Sequence, residues 1–486
     1  MSIAEHDTAA ELGSRSMREV FDRQRSAFRA EGEVTGAVRI DRLERLKALI
    51  LENKKEFALA TKRDFNGARS YEFSLFTEFA GKVQAIDYAI EHLEEWMKPE
   101  GRKSNPPMDQ LGGNSQVRHF PKGVVGIISP WNLPFGLTVA PLASALAAGN
   151  RAMLKPSEFV PETAALFAAV FPKYFAEDEV AVVTGGEAIS QNFAELPFDH
   201  LFFTGSTRVG MHVMRSAAKN LVPVTLELGG KSPVVIGRSA ELDLAGTRLA
   251  FGKLLNGGQL CLSPDYVLVP SELEEQLIER VTHETQSMYP NITENKDYAG
   301  VINERHFARL QNYIDDAVAK GAKLTIVGAD ENLSSKDNRR MPLHILQNVN
   351  EDMLVMHEEI FGPVLPVMTY DDIADVPDLI QPRRNPLALY YFGADEAEQE
   401  YVLNHVQSGG VCINDIAVHY VQEDLPFGGI GASGMGAYHG PEGFRTMSHG
   451  RAIYSQTMVD ILPVIGARPP FGDDFREYVS NTLGPI

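Results

Sequence analysis

A chain of 486 residues, 44% of them hydrophobic, is long enough for two or three packed domains, and 65 acidic against 45 basic residues leave a formal charge of −20. That charge opposes binding to nucleic-acid backbones and to anionic membrane surfaces, and the basic pairs at 54, 62 and 339 are each broken by nearby acids rather than gathered into a patch. Two cysteines, Cys261 and Cys412, exclude a disulfide framework and have no metal-ligand spacing, which points to a reducing compartment, the cytoplasm, and to no metal.

Residues 1 to about 100, as in "RIDRLERLKALILENKKEFALATKRDF", repeat apolar positions at helical spacing and predict surface helices without the apolar core of a signal peptide. The polar, turn-rich stretch 101–121 predicts an extended excursion or hairpin leaving the domain body. Short apolar runs then alternate with helical segments: 124–129, 151–155, 179–183, 200–204 and 223–228. This predicts an α/β fold, a doubly wound parallel sheet that binds ligands at its strands' carboxyl ends. A second α/β unit starts at 232–237 and continues through 266–270, 322–328 and 387–393.

Polar residues follow the first set of strands. "SPWNLPF" brings Ser129, Trp131 and Asn132; "KPSE" brings Lys155, Ser157 and Glu158; "TGSTRVG" brings Gly205 and Ser206; "LELGGK" brings Glu227 and Leu228. Singly, each is an ordinary cap, turn or solvated strand end. Together, in a doubly wound sheet, they converge on one crevice. Cys261 lies in "LLNGGQLCLSPDY", where glycines permit positive φ and close backbone approach and Pro264 stops a helix, so the thiol is presented rather than packed. Cys412, in "GGVCIND", sits in a strand-like apolar run and reads as a packed residue. Gly429-Ile-Gly431-Ala-Ser-Gly434 satisfies GxGxxG but lacks a βαβ setting, and it reads as a flexible turn lining the site. His357-Glu358 begins a zinc-protease motif that fails at Phe361.

The ordered set "SPWNLPF", "AAGNRAMLKPSE", "FFTGSTRVG", "LELGGKSP", "NGGQLC", "EEIFGPVLPV" and "PFGGIGASGMGAYHG" resembles the aldehyde dehydrogenase superfamily. "LCLSPDYVL", "PLALYYFG", "NDIAVH" and "GMGAYHGPEGFRTMSH" resemble its class 3 branch, and within it the coniferyl aldehyde dehydrogenases. The resemblance implies a dinucleotide-binding domain of residues 1–102 and 122–229, a catalytic domain of 230–433, and an oligomerisation arm and C-terminal segment of 103–121 and 434–486. It implies Cys261 as nucleophile, Asn132 as oxyanion donor and Glu227 as base, acting on an aromatic or medium-chain aldehyde. Ser129, Trp131, Lys155, Ser157, Glu158, Gly205, Ser206, Leu228, Glu359 and Phe361 would hold NAD, with NADP left open. Phe135, Leu137, Leu260, Leu262, His419 and Phe427 would line the substrate tunnel, and the assembly would be a homodimer. Rival readings are a CoA-acylating relative, a cysteine hydrolase and a non-catalytic member of the superfamily.

Overall fold

The central strand Val124–Ile128 is buried at every position, with Val125 and Ile127 in one apolar cluster and Val124 and Ile128 in another. That period of two is what a sheet covered on both faces requires. The computed structural model describes residues 3–328, 339–383, 385–463 and 466–485, and side chains from residue 16 onward. Six strands lie in the order Gly434–Met435, Val224–Glu227, His200–Thr204, Val124–Ile128, Arg151–Lys155 and Val180–Val182. All pairings are parallel except the first, where Gly434 faces Glu227.

Helices Gly36–Asp64, Gly81–Trp96 and Gly136–Ala147 cover one face through Leu43, Leu46, Ile86, Leu93, Val139 and Leu142. Helices Ile3–Glu31, Glu187–Ala194 and Thr207–Ala218 cover the other through Phe21, Phe193 and Val213. In Gly36–Asp64 the buried residues Leu43, Leu46, Ile50 and Phe57 recur at helical spacing, and the Thr35 hydroxyl caps the first turn by accepting from the Val38 N–H.

The second sheet orders seven strands: Lys323–Val327, Leu343–Gln347, Val364–Tyr370, Tyr266–Pro270, Pro233–Ile236, Ala388–Phe392 and Gly410–Ile413. It is parallel apart from its antiparallel edge strand Lys323–Val327. Leu343–Gln347 and Val364–Tyr370 were not expected, and Pro366 inside the latter weakens the strand signal there. Cys412 is buried on Gly410–Ile413 as expected.

The excursion is the hairpin Glu100–Arg102 with Asn114–Pro121, joined on its other edge by Ser448–Ser455 in a three-stranded antiparallel sheet. Among the described residues no helix is long and apolar enough to cross a membrane. Strand order runs outward in both directions from Val124–Ile128, so the switch point lies beside it. The carboxyl ends bearing Ser129, Lys155, Gly205 and Glu227 open onto the crevice there.

Candidate active site

The helix Leu242–Leu254 ends in a left-handed kink, with φ of 52° at Asn256, 62° at Gly257 and 76° at Gly258. A Cβ on Gly257 would come 2.7 Å from the Ala299 carbonyl, and one on Gly258 would collide with the Gly362 carbonyl. Only glycine fits both demands, and the kink turns the chain so that Cys261 stands half-buried at the crevice. Gln259 pins the loop: its side-chain Nε2 donates to the Asn256 and Gly300 carbonyls (2.9 and 3.0 Å) and its Oε1 accepts from the Ile302 N–H (2.9 Å).

Asn132 meets this loop directly. Its Nδ2 donates to the Gln259 carbonyl at 3.1 Å, while the Asn256 amide donates to the Asn132 carbonyl at 3.1 Å. Behind it stands a fully buried ion pair that sequence reasoning missed. Arg69 donates to the Asn132 carbonyl (2.7 Å) and to Glu78 Oε1 (2.6 Å), and Glu78 Oε2 accepts the N–H groups of Phe135 and Gly136 (2.7 and 3.1 Å). Glu78 lies in a six-residue π-helical turn, Leu75–Ala80, a geometry that recurs at functional sites. Burial pushes the Glu78 carboxyl up, against the pull of Arg69. Arg69→Met leaves that carboxylate unpaired in the core, and urea unfolding should show a loss of about 3–5 kcal/mol. An unchanged midpoint would mean the pair does not hold this turn.

The Cys261 thiol is pushed well up by burial first and then by the Glu359 and Glu227 carboxylates, opposed by the N–H groups of Cys261 and Leu262. Glu227 is 3% exposed, neither carboxyl oxygen has a protein partner, and burial raises it well above the ordinary carboxylate range. Glu359 is pushed up to about 8 by burial and then by Asp265, against the Gly230 N–H. A presented thiol, an amide donor tied to the same loop and a buried carboxyl with free lone pairs suit attack on a carbonyl and activation of water.

The strand ends offer a dinucleotide cradle. The Ser206 hydroxyl caps the helix Thr207–Ala218 by accepting from the Val209 N–H at 3.4 Å, and a Cβ on Gly205 would meet the Phe203 ring at 2.6 Å. The helix start with its free N–H groups fits an anion. Lys155 is buried with its ammonium donating to the Pro156 carbonyl at 2.7 Å, beside exposed Glu158. Burial pushes this ammonium down and Glu158 pulls it up. The Ser157 hydroxyl accepts from the Phe159 N–H at 3.3 Å, and Ser129 Oγ accepts from Thr138 Oγ1 at 2.6 Å.

Across the crevice Trp131 meets Phe361 edge-on at 5.4 Å, with Phe361 at φ 52°. One Glu359 oxygen is unpartnered. The 358–361 segment is held by residues not anticipated: Lys231 pairs with Asp265 and donates to the Glu358 carbonyl (3.1 Å), Asp265 accepts the Ile360 N–H (2.8 Å), and Arg309 donates to the Ile360 carbonyl (2.7 Å). "LELGGK" and "SPDY" contained Lys231 and Asp265 but carried no sign of what they would hold.

The tunnel expectation needs one correction. Phe135 is fully buried among Phe57, Phe79 and Phe167, with ring centroids 4.6, 4.7 and 5.6 Å away, so it packs the core beneath the crevice and lines nothing. Leu137 and Leu262 are buried, Leu260 is half-buried beside the thiol, and His419 lies 6.0 Å from Phe427. The GxGxxG turn is pinned rather than loose. The Leu228 N–H donates to the Ser433 carbonyl and Thr207 Oγ1 to the Ala432 carbonyl, both at 3.0 Å.

Comparison with known proteins identifies relatives over nearly the whole chain. The chain is 48% identical over 469 residues to the "Probable coniferyl aldehyde dehydrogenase" of Caulobacter vibrioides, covering 96% of each. It is 44% identical to the "Coniferyl aldehyde dehydrogenase" of a Pseudomonas species, covering 98% of each. The structure superposes on the substrate-bound state of Staphylococcus aureus AldH with TM-score 0.89 and 33% identity, over 96% of this chain and 99% of that one. The profile of the "Aldehyde dehydrogenase family" matches residues 4–453, and the chain belongs to that family of NAD(P)-dependent, aldehyde-oxidising enzymes.

Proposed function

We propose that this enzyme oxidises aromatic aldehydes of the coniferaldehyde type to their carboxylic acids through a covalent adduct on Cys261. The observations that support the reading are that the Asn132 amide is tied to Gln259 in the cysteine's own loop, and that Glu227, buried at the end of a strand bordering the same crevice, has neither carboxyl oxygen partnered. Cys261 attacks the carbonyl carbon, and the alkoxide of the thiohemiacetal takes hydrogen bonds from Asn132 Nδ2 and the Cys261 N–H. A nicotinamide bound there would supply hydride acceptance, the two-electron oxidation by which the adduct on Cys261 becomes a thioester. Glu227 then takes a proton from water as the water oxygen attacks the thioester carbon, the C–S bond breaks to return the Cys261 thiolate, and the carboxylic acid leaves.

Gly205 and Ser206 would hold the pyrophosphate, Lys155 and Glu158 the adenosine ribose, and Glu359 with Phe361 the nicotinamide end, alongside Ser129, Trp131, Ser157 and Leu228. A carboxylate at Glu158 favours NAD over NADP, because it repels a 2′-phosphate. Leu137, Leu260, Leu262, His419 and Phe427 shape the substrate channel. In this reading residues 1–102 with 122–229 form the dinucleotide domain and 230–433 the catalytic one. The three-stranded arm joins two subunits into a homodimer, which works in the cytoplasm, where Cys261 stays reduced.

The direct assay offers coniferaldehyde, benzaldehyde and hexanal with NAD or NADP and follows the reduced cofactor. Coniferaldehyde with NAD should give the highest kcat/KM. Turnover that appears only when CoA is added would replace this reading with the acylating one.

A further inference from the structure

We propose that Lys82 and Tyr420 form a subsite for the phenolic hydroxyl of the substrate, so that 4-hydroxyaryl aldehydes are preferred over their unhydroxylated counterparts. The inference rests on the aldehyde-oxidising reading above and concerns the far end of the same substrate site.

Lys82, on the helix Gly81–Trp96, is 6% exposed. Its ammonium donates to the Tyr420 hydroxyl at 2.8 Å and lies 4.6 Å from the centre of that ring. An ammonium has three donors, and among the described residues this is its one hydrogen bond. Beside it His439 is 5% exposed with neither ring nitrogen partnered, and burial holds that ring neutral by pushing its pKa well down. The Glu423 carboxyl is pushed up by burial and pulled down by Lys82, so it too faces the ammonium.

Lys82, Glu423 and His439 line a cavity of about 30 Å³ whose other walls include Trp96, Ala140 and Ala143. By the same measure a water needs roughly 10–15 Å³, so the space takes a hydroxyl and a little more. Spare donors, a carboxyl and an unpartnered imidazole around a small void are the complement of a group that both accepts and donates one hydrogen bond.

The approach to this cluster is aromatic. Tyr420 meets Phe427 edge-on at 4.9 Å, and Phe427 stacks on His439 at 5.4 Å. From there the rings lead back towards the chemistry: Phe427 lies 6.0 Å from His419 and His419 6.2 Å from Tyr390, whose hydroxyl donates to the carbonyl of Leu262, next to Cys261, at 2.6 Å. A flat conjugated aldehyde with its carbonyl carbon at Cys261 thus lies along rings towards Lys82. An alkyl chain would reach the same ammonium with nothing to offer it.

The test compares 4-hydroxycinnamaldehyde with cinnamaldehyde, which differ in the hydroxyl alone. Wild type should favour the hydroxylated substrate about tenfold or more in kcat/KM, the scale of a hydrogen bond to a charged group. Lys82→Met should bring that ratio towards one, and Tyr420→Phe should lower it. If Lys82 only braces its helix, both substrates fall together and the ratio survives, which overturns the proposal; so does a wild-type ratio near one. Should Lys82→Met fail to fold, inhibition of the wild type by 4-hydroxycinnamate against cinnamate decides, with tighter binding of the former expected and equal binding fatal to the subsite. Oxidation of both aldehydes without discrimination sinks the subsite alone, whereas oxidation of neither sinks the aldehyde reading with it.

Discussion

Cys261→Ala should abolish aldehyde oxidation, with a drop of roughly 10⁴-fold or more, because the proposed adduct and thioester both form on its sulfur. The second cysteine, Cys412, is buried on the edge strand Gly410–Ile413 of the seven-stranded sheet and offers no substitute. Burial, and then the neighbouring carboxyl groups of Glu359 and Glu227, push this thiol up, which disfavours the thiolate. Activation therefore has to come from within the site, and the N–H groups of Cys261 and Leu262, which oppose that shift, favour the thiolate. The variant should still bind NAD, as a thermal shift on adding the cofactor will report, since the cradle lies on the other sheet. Residual turnover above a hundredth of wild type would remove Cys261 from the mechanism.

Glu227→Gln should separate the two halves of the reaction. Adduct formation and cofactor reduction would proceed once per site and then stall, with steady-state turnover lower by about 10²–10⁴-fold, the usual worth of a positioned base. Mass spectrometry should find the acyl group on Cys261. The wild-type pH profile carries the same information. Glu227 acts as a base only when ionised, and its raised pKa moves the ionised fraction upward in pH. Thioester hydrolysis should therefore rise with pH beyond the ordinary carboxylate range, and the glutamine variant should lose that rise. Steady turnover in the variant with no acyl-enzyme would assign the water-activating role elsewhere, with Glu359, pushed up to about 8, next to examine.

Where a function demands an odd residue in an odd place, the sequence was readable. Paired glycines and a proline around Cys261 foretold a break in the chain there, and the left-handed kink is why they are there. Strand ends bearing Asn132, Lys155, Gly205 and Glu227 foretold the crevice, because parallel topology leaves them nowhere else to meet. What escaped was support from distant parts of the chain. Arg69 in "NGARSYE" looks like any solvated arginine, yet it is fully buried against Asn132 and Glu78. Phe135 failed for the opposite reason: proximity to Asn132 in sequence suggested the channel, while its side chain turns into a cluster built by other helices. The GxGxxG turn looked mobile because its partners, Thr207 and Leu228, lie in motifs already spoken for.

The antiparallel pairing of Gly434 with Glu227 bears on how the protein is made. Strand Val224–Glu227 leaves the ribosome early, but its outer edge stays open until residues 434–435 are synthesised, since among the described residues it is these that pair with it. A Cβ at Gly434 would overlap the Leu226 carbonyl, so no neighbouring turn with a side chain there closes the edge instead. During most of translation the half-built sheet thus presents a bare template for strand addition, the kind of edge that invites aggregation. Chains cut short before residue 434 should accumulate as insoluble material rather than as slow enzymes, and nascent chains paused there are the natural clients of chaperones.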